Sequence, residues 1–152
     1  DRCARCLGLG ADAAVDYHVA AFVAAARDAT GGLGVDVVLD SIGGPYLERN
    51  LAALATGGRL VVIAVMGGAA AELDLRQLLA RRLTVVGSTL RARPDEEKAG
   101  LVAAFRDRFG ELLAAGRLRP VIDRVLPLER VAEAHRAMAA SAHFGKIVLR
   151  VR

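Results

Sequence analysis

Short apolar segments alternate with helical segments along most of this chain, and no other feature restricts its fold as strongly. Strands are predicted at residues 13–17, 35–42, 59–65 and 83–89. Helical stretches of about ten residues lie between them, a spacing typical of right-handed βαβ crossovers. Strands rich in Val and Leu tolerate burial on both faces of a parallel sheet. The sequence therefore predicts an α/β fold with a doubly wound parallel sheet.

The pattern changes after Pro94. Residues 95–115 carry apolar side chains at helical spacing, and Pro120 precedes a predicted strand at 121–128. A helix at 128–140 and a strand at 145–151 follow. Earlier in the chain, the further helices are predicted at 1–9, 19–29, 45–55 and 72–81.

Composition places the chain among globular proteins of one domain or slightly more. Of its 152 residues, 54% are hydrophobic and 25% are charged, enough apolar material to bury a core. The longest apolar stretch, residues 60–71, is shorter than the roughly 20 residues that a membrane helix requires. No basic-then-apolar leader opens the sequence. We therefore expect a cytoplasmic protein that has no membrane partner.

The net charge of +4 does not indicate nucleic-acid binding. The 21 basic residues are spread along the chain among 17 acids and form no basic block. Only four Phe and two Tyr are available to stack on bases. The electrostatic footprint of a nucleic-acid site is missing, so no such partner is expected.

The cysteines and histidines do not form a metal-binding pattern. Cys3 and Cys6 lie on one face of a predicted helix, where a thiol acts as a small hydrophobic group. A zinc site needs about four ligands, and no second pair lies at ligand spacing. His18, His135 and His143 are isolated, which favours surface or capping roles. No metal site is predicted in this chain.

Glycines occur in two different contexts. The runs "GLGADA" (8–13) and "GLGVDV" (32–37) precede strands, whereas a phosphate-binding loop follows a strand and opens a helix, so both are predicted to end helices. In contrast, the predicted strands at 35–42, 59–65 and 83–89 end at "SIGG", "MGG" and "STL". Ligands of open α/β sheets bind outside the carboxyl ends of strands. These small residues predict a trough in which backbone groups meet a flat ligand.

Several longer stretches carry a family resemblance. The chain contains, in this order, "LGADAAVDY", "TGGLGVDVVLDSIGG", "ALATGGRLVVIAVMGG", "PLERVAEAHRAM" and "HFGKIVL". Their order and spacing resemble the zinc-free quinone oxidoreductase branch of the medium-chain dehydrogenase/reductases. The resemblance implies a Rossmann-like sheet that is incomplete at its N-terminus, with the first strands and the Gly-rich loop upstream of Asp1. Residues 1–119 would form a partial dinucleotide-binding domain, and 120–152 would pack with the substrate domain.

The resemblance also implies NADPH as the cofactor. Arg2 and Tyr17 would hold the adenosine 2′-phosphate, since a guanidinium favours a phosphate dianion, whereas NAD selection normally uses an acid on the ribose. Asp1 could take that acid position instead. The other implied contacts are Ser41 and Gly43 at the ribose, Val65, Met66 and Gly67 towards the nicotinamide, Ser88 and Leu90 at its carboxamide, and Lys146 at the pyrophosphate.

The implied activity is hydride transfer from NADPH to a quinone or an α,β-unsaturated carbonyl compound. No residue here suggests itself as the general acid, so the catalytic residues are unassigned. Two alternatives remain: a zinc-dependent alcohol dehydrogenase with its ligands upstream, and a non-catalytic, crystallin-like nucleotide-binding protein. The apolar strand at 83–89 would be a sheet edge, so a homodimer joined along it is expected.

Overall fold

The computed structural model describes residues 2–152, and the chain forms two compact units. One unit runs to Arg93, and the other runs from Pro94 to Arg152. Asp1, the alternative ribose-binding residue, lies outside the described residues. The predicted boundary between residues 119 and 120 concerns packing with a substrate domain, and it stays a prediction.

The first unit is built on a three-stranded parallel sheet with the order β1-β2-β3. Val38 pairs with Leu60, and Leu60 pairs with Val85. Its elements are α1 (Arg2–Gly8), α2 (Phe22–Ala29), β1 (Val35–Asp40), a 3₁₀ turn (Gly44–Tyr46), α3 (Leu47–Ala53), β2 (Leu54–Val62), α4 (Leu75–Arg81) and β3 (Thr84–Gly87). The predicted α/β class with parallel strands is confirmed.

The predicted strand at 13–17 is wrong. An extended segment becomes a strand only when a neighbouring segment accepts its hydrogen bonds, and residues 13–17 form no ladder with another described segment. The chain turns there instead. The amides of Val19 and Ala20 both donate to the Asp16 carbonyl, and the amide of His18 donates to the Asp16 carboxylate.

The core of this unit lies between α3 and the sheet. Leu51, Leu54 and Leu60 are at most 1% exposed. Half-buried apolar side chains from β1, β2, α3, α4 and the segment before β3 surround them: Val35, Val38, Leu47, Val62, Leu78 and Leu83. Since Leu60 lies in the central strand and Leu51 in α3, this core fixes the helix that follows β1 against the sheet.

Both "GLG" runs end helices, as predicted. The amide of Gly10 donates to the Leu7 carbonyl after α1, and the amide of Gly32 donates to the Arg27 carbonyl after α2. These are the bonds that close the last turn of a helix. Neither run follows a strand, so neither can act as a phosphate-binding loop.

The second unit has a small parallel sheet of its own. It contains α5 (Asp95–Ala114), β4 (Ile122–Pro127), a 3₁₀ turn (Leu128–Arg130), α6 (Val131–Ala139) and β5 (Lys146–Arg150). β4 and β5 pair in parallel, with Val125 opposite Val148. Leu126 and Ala134 are buried, so α6 packs against β4. No helix within residues 2–152 is long and apolar enough to cross a bilayer.

Candidate functional site

The pairing of β1 with β2 continues beyond the ends of both strands. The carbonyl of Asp40 accepts from the amide of Ile63 at 2.8 Å. Farther on, the carbonyls of Ser41 and Ile42 accept from the amides of Met66 and Gly67 at 3.1 and 2.8 Å. Residues 41–44 (the first loop) and 63–68 (the second loop) therefore form one hydrogen-bonded unit at the carboxyl edge of the sheet.

The glycines of the two loops allow their backbones to touch. Gly43 and Gly68 form a parallel bridge, and the amide of Gly44 donates to the Gly68 carbonyl at 2.8 Å. Gly43 has a φ of 88°, and a Cβ there would lie 2.5 Å from the Gly68 oxygen. A Cβ on Gly67 would lie 2.8 Å from Cγ2 of Ile42. The small residues of "SIGG" and "MGG" thus allow the backbones of the two loops to come into contact with each other.

Asp40 anchors the first loop to the end of β1. Its carboxylate is buried, with the residue 5% exposed. Oδ1 accepts from the amide of Ile42 at 2.8 Å, and Oδ2 accepts from the amide of Gly43 at 2.9 Å. Hydrogen bonds to an ionised acceptor are about twice as strong as neutral ones, which offsets the cost of burying the charge.

Two cavities share two wall residues, and the second of them borders this edge. The first, of about 310 Å³, is lined by both predicted phosphate ligands, Arg2 and Tyr17, together with Cys3, Val15, Asp16 and His18. The second, of about 300 Å³, is lined by Val15, Tyr17, Phe22, Val38, Leu39, Asp40, Ser41, Ile42, Tyr46 and Asn50. Because Val15 and Tyr17 belong to both, the walls of the two cavities connect Arg2 with Ser41.

The remaining predicted residues are distributed unevenly. Ser88 lies beside the end of β2, where its amide donates to the carbonyl of Val62 at 2.9 Å. Leu90 is 59% exposed and accepts from the amide of Arg93. Lys146 lies in the second unit, where it begins β5 opposite Ile122. The structure thus brings together Arg2 with Tyr17, and Ser41 with Gly43, Val65, Met66 and Gly67, and it places Ser88 at the end of the neighbouring strand β2. Their contacts with a cofactor stay predictions.

Sequence reasoning missed three features of this region. The sequence shows Asp40 as an acid before small residues at a strand end. It does not show that the carboxylate accepts hydrogen bonds from two backbone amides, because these depend on the conformation of the loop. Asn50, 3% exposed, lines the second cavity, and its Nδ2 finds no acceptor among the described residues. Phe22 and Tyr46 stack with their planes 4° apart, and Arg49 lies 4.0 Å over the Tyr46 ring.

No group of three or more His, Cys, Asp or Glu side chains within residues 2–152 is arranged to hold a metal ion. Cys3 and Cys6 form no disulfide and are half-buried. The imidazole of His18 contacts the Tyr17 ring, with 4.2 Å between the ring centroids.

Comparison with known proteins identifies relatives along almost the whole chain. The profile of a family described as zinc-binding dehydrogenase matches residues 9–149. Human quinone oxidoreductase is 28% identical over 141 residues, which cover 92% of this chain and 41% of the human protein. The chain therefore spans about two fifths of the length of this relative.

Solved structures agree with the sequence relatives. A protein described as an NAD-dependent alcohol dehydrogenase has 35% identity and a TM-score of 0.79, over 99% of this chain and 41% of its own. The mycobacterial protein Rv1454c, solved in complex with NADPH, has 26% identity and a TM-score of 0.72, over 93% of this chain and 43% of its own. Both similarities extend over the two units described above.

Proposed function

The chain belongs to the zinc-binding dehydrogenase family of the medium-chain dehydrogenase/reductases. We propose that it is part of an NADPH-dependent oxidoreductase that acts on quinones or α,β-unsaturated carbonyl compounds. The family assignment confirms the resemblance inferred from the sequence. An oxidoreductase is the coarser conclusion that the relatives support, and the cofactor and the substrate class are our proposal.

The observation that carries the proposal is the hydrogen-bonded pair of loops beside a cavity that shares Val15 and Tyr17 with the cavity of Arg2. Open α/β sheets bind ligands outside the carboxyl ends of their strands, which is where these loops lie. Asn50 lines the cavity that contains Ser41, and its buried Nδ2 lacks an acceptor within the described chain. An unsatisfied buried donor costs about 1–3 kcal/mol, so an acceptor that reached this Nδ2 would stabilise the site.

We assign the ends of the cofactor to the two parts of this site. The Arg2 guanidinium would form charge-assisted hydrogen bonds with the 2′-phosphate, and the Tyr17 hydroxyl would donate another. Ser41 and Gly43 would approach the ribose, and the second loop, with Val65, Met66 and Gly67, would lie along the nicotinamide. Lys146 would neutralise charge on the pyrophosphate.

The bound cofactor supplies the hydride, so the task of this chain is to position it and exclude water. The amide of Ser88 already donates to Val62, so its carbonyl is the main-chain group we assign to the nicotinamide carboxamide, together with the backbone of Leu90. No proton donor for the substrate oxyanion is assigned among the residues of this chain.

A zinc-dependent alcohol dehydrogenase is the second candidate. The similarity to the structure described as an NAD-dependent alcohol dehydrogenase, at 35% identity, favours it. The two candidates differ in cofactor, in metal dependence and in the direction of the reaction.

Steady-state kinetics of the full-length protein separate them. We expect NADPH oxidation with 1,4-benzoquinone or 2-cyclohexenone, faster than with NADH, and unchanged after treatment with a chelator. Oxidation of a primary alcohol with NAD⁺ that is abolished by chelation and restored by zinc would establish the second candidate. Cofactor binding without turnover of either substrate class would indicate a non-catalytic relative.

We further propose that the protein works in the cytoplasm as a homodimer joined along residues 83–89. In support, β3 is an edge of the described sheet, and Val85 and Val86 are 42% and 39% exposed. An uncovered apolar edge favours pairing with its own copy.

A further inference from the structure

We infer that Asp40 is a positioning residue of the proposed cofactor site, and that its carboxylate sets the geometry of both strand-end loops at once. The inference rests on the proposed function. Asp40 itself is not assigned a contact with the cofactor. It acts through the backbone of the first loop, which it holds against the second.

The first step is the hold of Asp40 on the first loop. Its two carboxylate oxygens accept from the amides of Ile42 and Gly43, two and three residues farther along the chain. Each amide is therefore turned back towards the end of β1. With the residue 5% exposed, water offers little competition for these bonds. One side chain thus holds the backbone of Ile42 and Gly43 in place.

The second step is the contact between the loops. With the Ile42 and Gly43 amides directed at Asp40, the carbonyls of Ser41 and Ile42 receive the amides of Met66 and Gly67. Gly43, at a φ of 88°, then bridges to Gly68. A change in the first loop would therefore move the second loop, which carries the residues assigned to the nicotinamide.

The third step is the position of Asp40 between two cavities. It lines the cavity of about 300 Å³ that contains Tyr17, Ser41 and Asn50. It also lines a separate cavity of about 170 Å³ that contains Gly43, Gly44 and Val65. Loss of its carboxylate would thus disturb the ribose side and the nicotinamide side together. Reacting atoms misplaced by about 1 Å can slow a reaction on the order of a hundredfold.

Asp40→Asn in the full-length protein is the test. The amide keeps the shape of the side chain but replaces one acceptor by a donor that faces a backbone N–H. We expect NADPH to bind about tenfold or more weakly, measured by fluorescence titration, because a charged hydrogen bond is lost from the loop. We also expect a larger primary isotope effect on kcat with 4-deuterated NADPH, since a displaced nicotinamide makes hydride transfer rate-limiting.

Arg81→Lys is the matched control. Arg81 donates to the carbonyls of Leu51 and Leu54 at the end of α3 and lines neither of the cavities beside Asp40. The control should lower the melting temperature without changing NADPH affinity or the isotope effect. If Asp40→Asn fails to fold, Asp40→Glu, which keeps the charge one methylene farther from the backbone, replaces it in the same measurements.

The outcomes separate this inference from the proposed function. Asp40 variants that lose thermal stability but keep wild-type affinity and isotope effect would show a purely structural carboxylate, and the inference would be wrong. A wild-type protein that binds neither NADPH nor NADH would overturn the proposed function and this inference with it. Normal wild-type turnover with unaffected Asp40 variants would overturn the inference alone.

Discussion

Single residues of the proposed site are assigned two kinds of role, and Arg2 is an example of the first, the proposed direct binding of a ligand. Arg2 and Tyr17 line one cavity of about 310 Å³, as a pair that holds a 2′-phosphate must. A charged hydrogen bond contributes about 1.5–3 kcal/mol, so Arg2→Ala should lower apparent NADPH affinity roughly ten- to hundredfold. NADH has a hydroxyl at this position, and its binding should hardly change.

The measurement is kcat/KM for both cofactors in the full-length protein. Arg5→Ala is the control, since Arg5 lies on the same helix and does not line the cavity. The double variant with Tyr17→Phe should lose less than the sum of the single losses if both side chains bind the same phosphate. Equal losses for NADPH and NADH would instead give Arg2 a structural role.

Gly43 represents the second kind of role, contact between backbones. Gly43→Ala should destabilise the protein more than Gly57→Ala does, although both glycines have positive φ values, 88° and 81°. An added Cβ at Gly57 meets nothing within 4 Å, so only the left-handed backbone costs free energy there, about 1–2 kcal/mol. At Gly43 the Cβ would also overlap the Gly68 oxygen. Urea denaturation measures the difference, and equal losses would mean that the loops separate easily.

At the scale of elements, the open edge of β3 provides a test of the proposed dimer. The amide of Ser88 donates to Val62 of β2, so the amides of alternate residues, including Val86, face β2. The amide of Val85 therefore faces the open edge. Val85→Pro removes a donor from that edge and leaves the β2–β3 pairing intact.

We expect light scattering to report monomers for Val85→Pro at concentrations where the wild type is dimeric. Val86→Pro is the comparison, since it breaks a bond inside the sheet and should lower the melting temperature more. A Val85→Pro protein that remains dimeric would place the interface elsewhere on the molecule.

The elements also show how far the sequence could predict this structure. The strands at 35–42, 59–65 and 83–89 were recognisable as short runs rich in Val, Ile and Leu, and β1, β2 and β3 overlap these ranges, although β2 begins earlier, at Leu54. The segment 13–17, "AAVDY", was also assigned to a strand but has no partner among the described residues, and composition does not reveal pairing. The contact of Gly43 with Gly68 was equally hidden, since it joins two loops that are separated by a helix and a strand.

At the scale of the whole molecule, the 152-residue chain on its own should bind NADPH weakly or not at all. Dinucleotide pyrophosphates bind where a Gly-rich turn follows a strand and opens a helix with its amides available. The runs "GLGADA" and "GLGVDV" end helices. The turn "SIGG" does follow β1 and precede α3, but the amides of Ile42, Gly43 and Gly44 already donate to Asp40 and Gly68.

In the proposed arrangement, the described residues would contact the adenosine and the nicotinamide but provide no phosphate-binding turn between them. Fluorescence titration of the isolated chain, beside the full-length protein under the same conditions, measures the difference. We expect dissociation constants above about a millimolar for the isolated chain, since the phosphate contacts contribute much of the affinity for a charged dinucleotide. Micromolar binding by the isolated chain would mean that the loops around Gly43 rearrange to release their amides, and Asp40→Asn should then strengthen binding instead of weakening it.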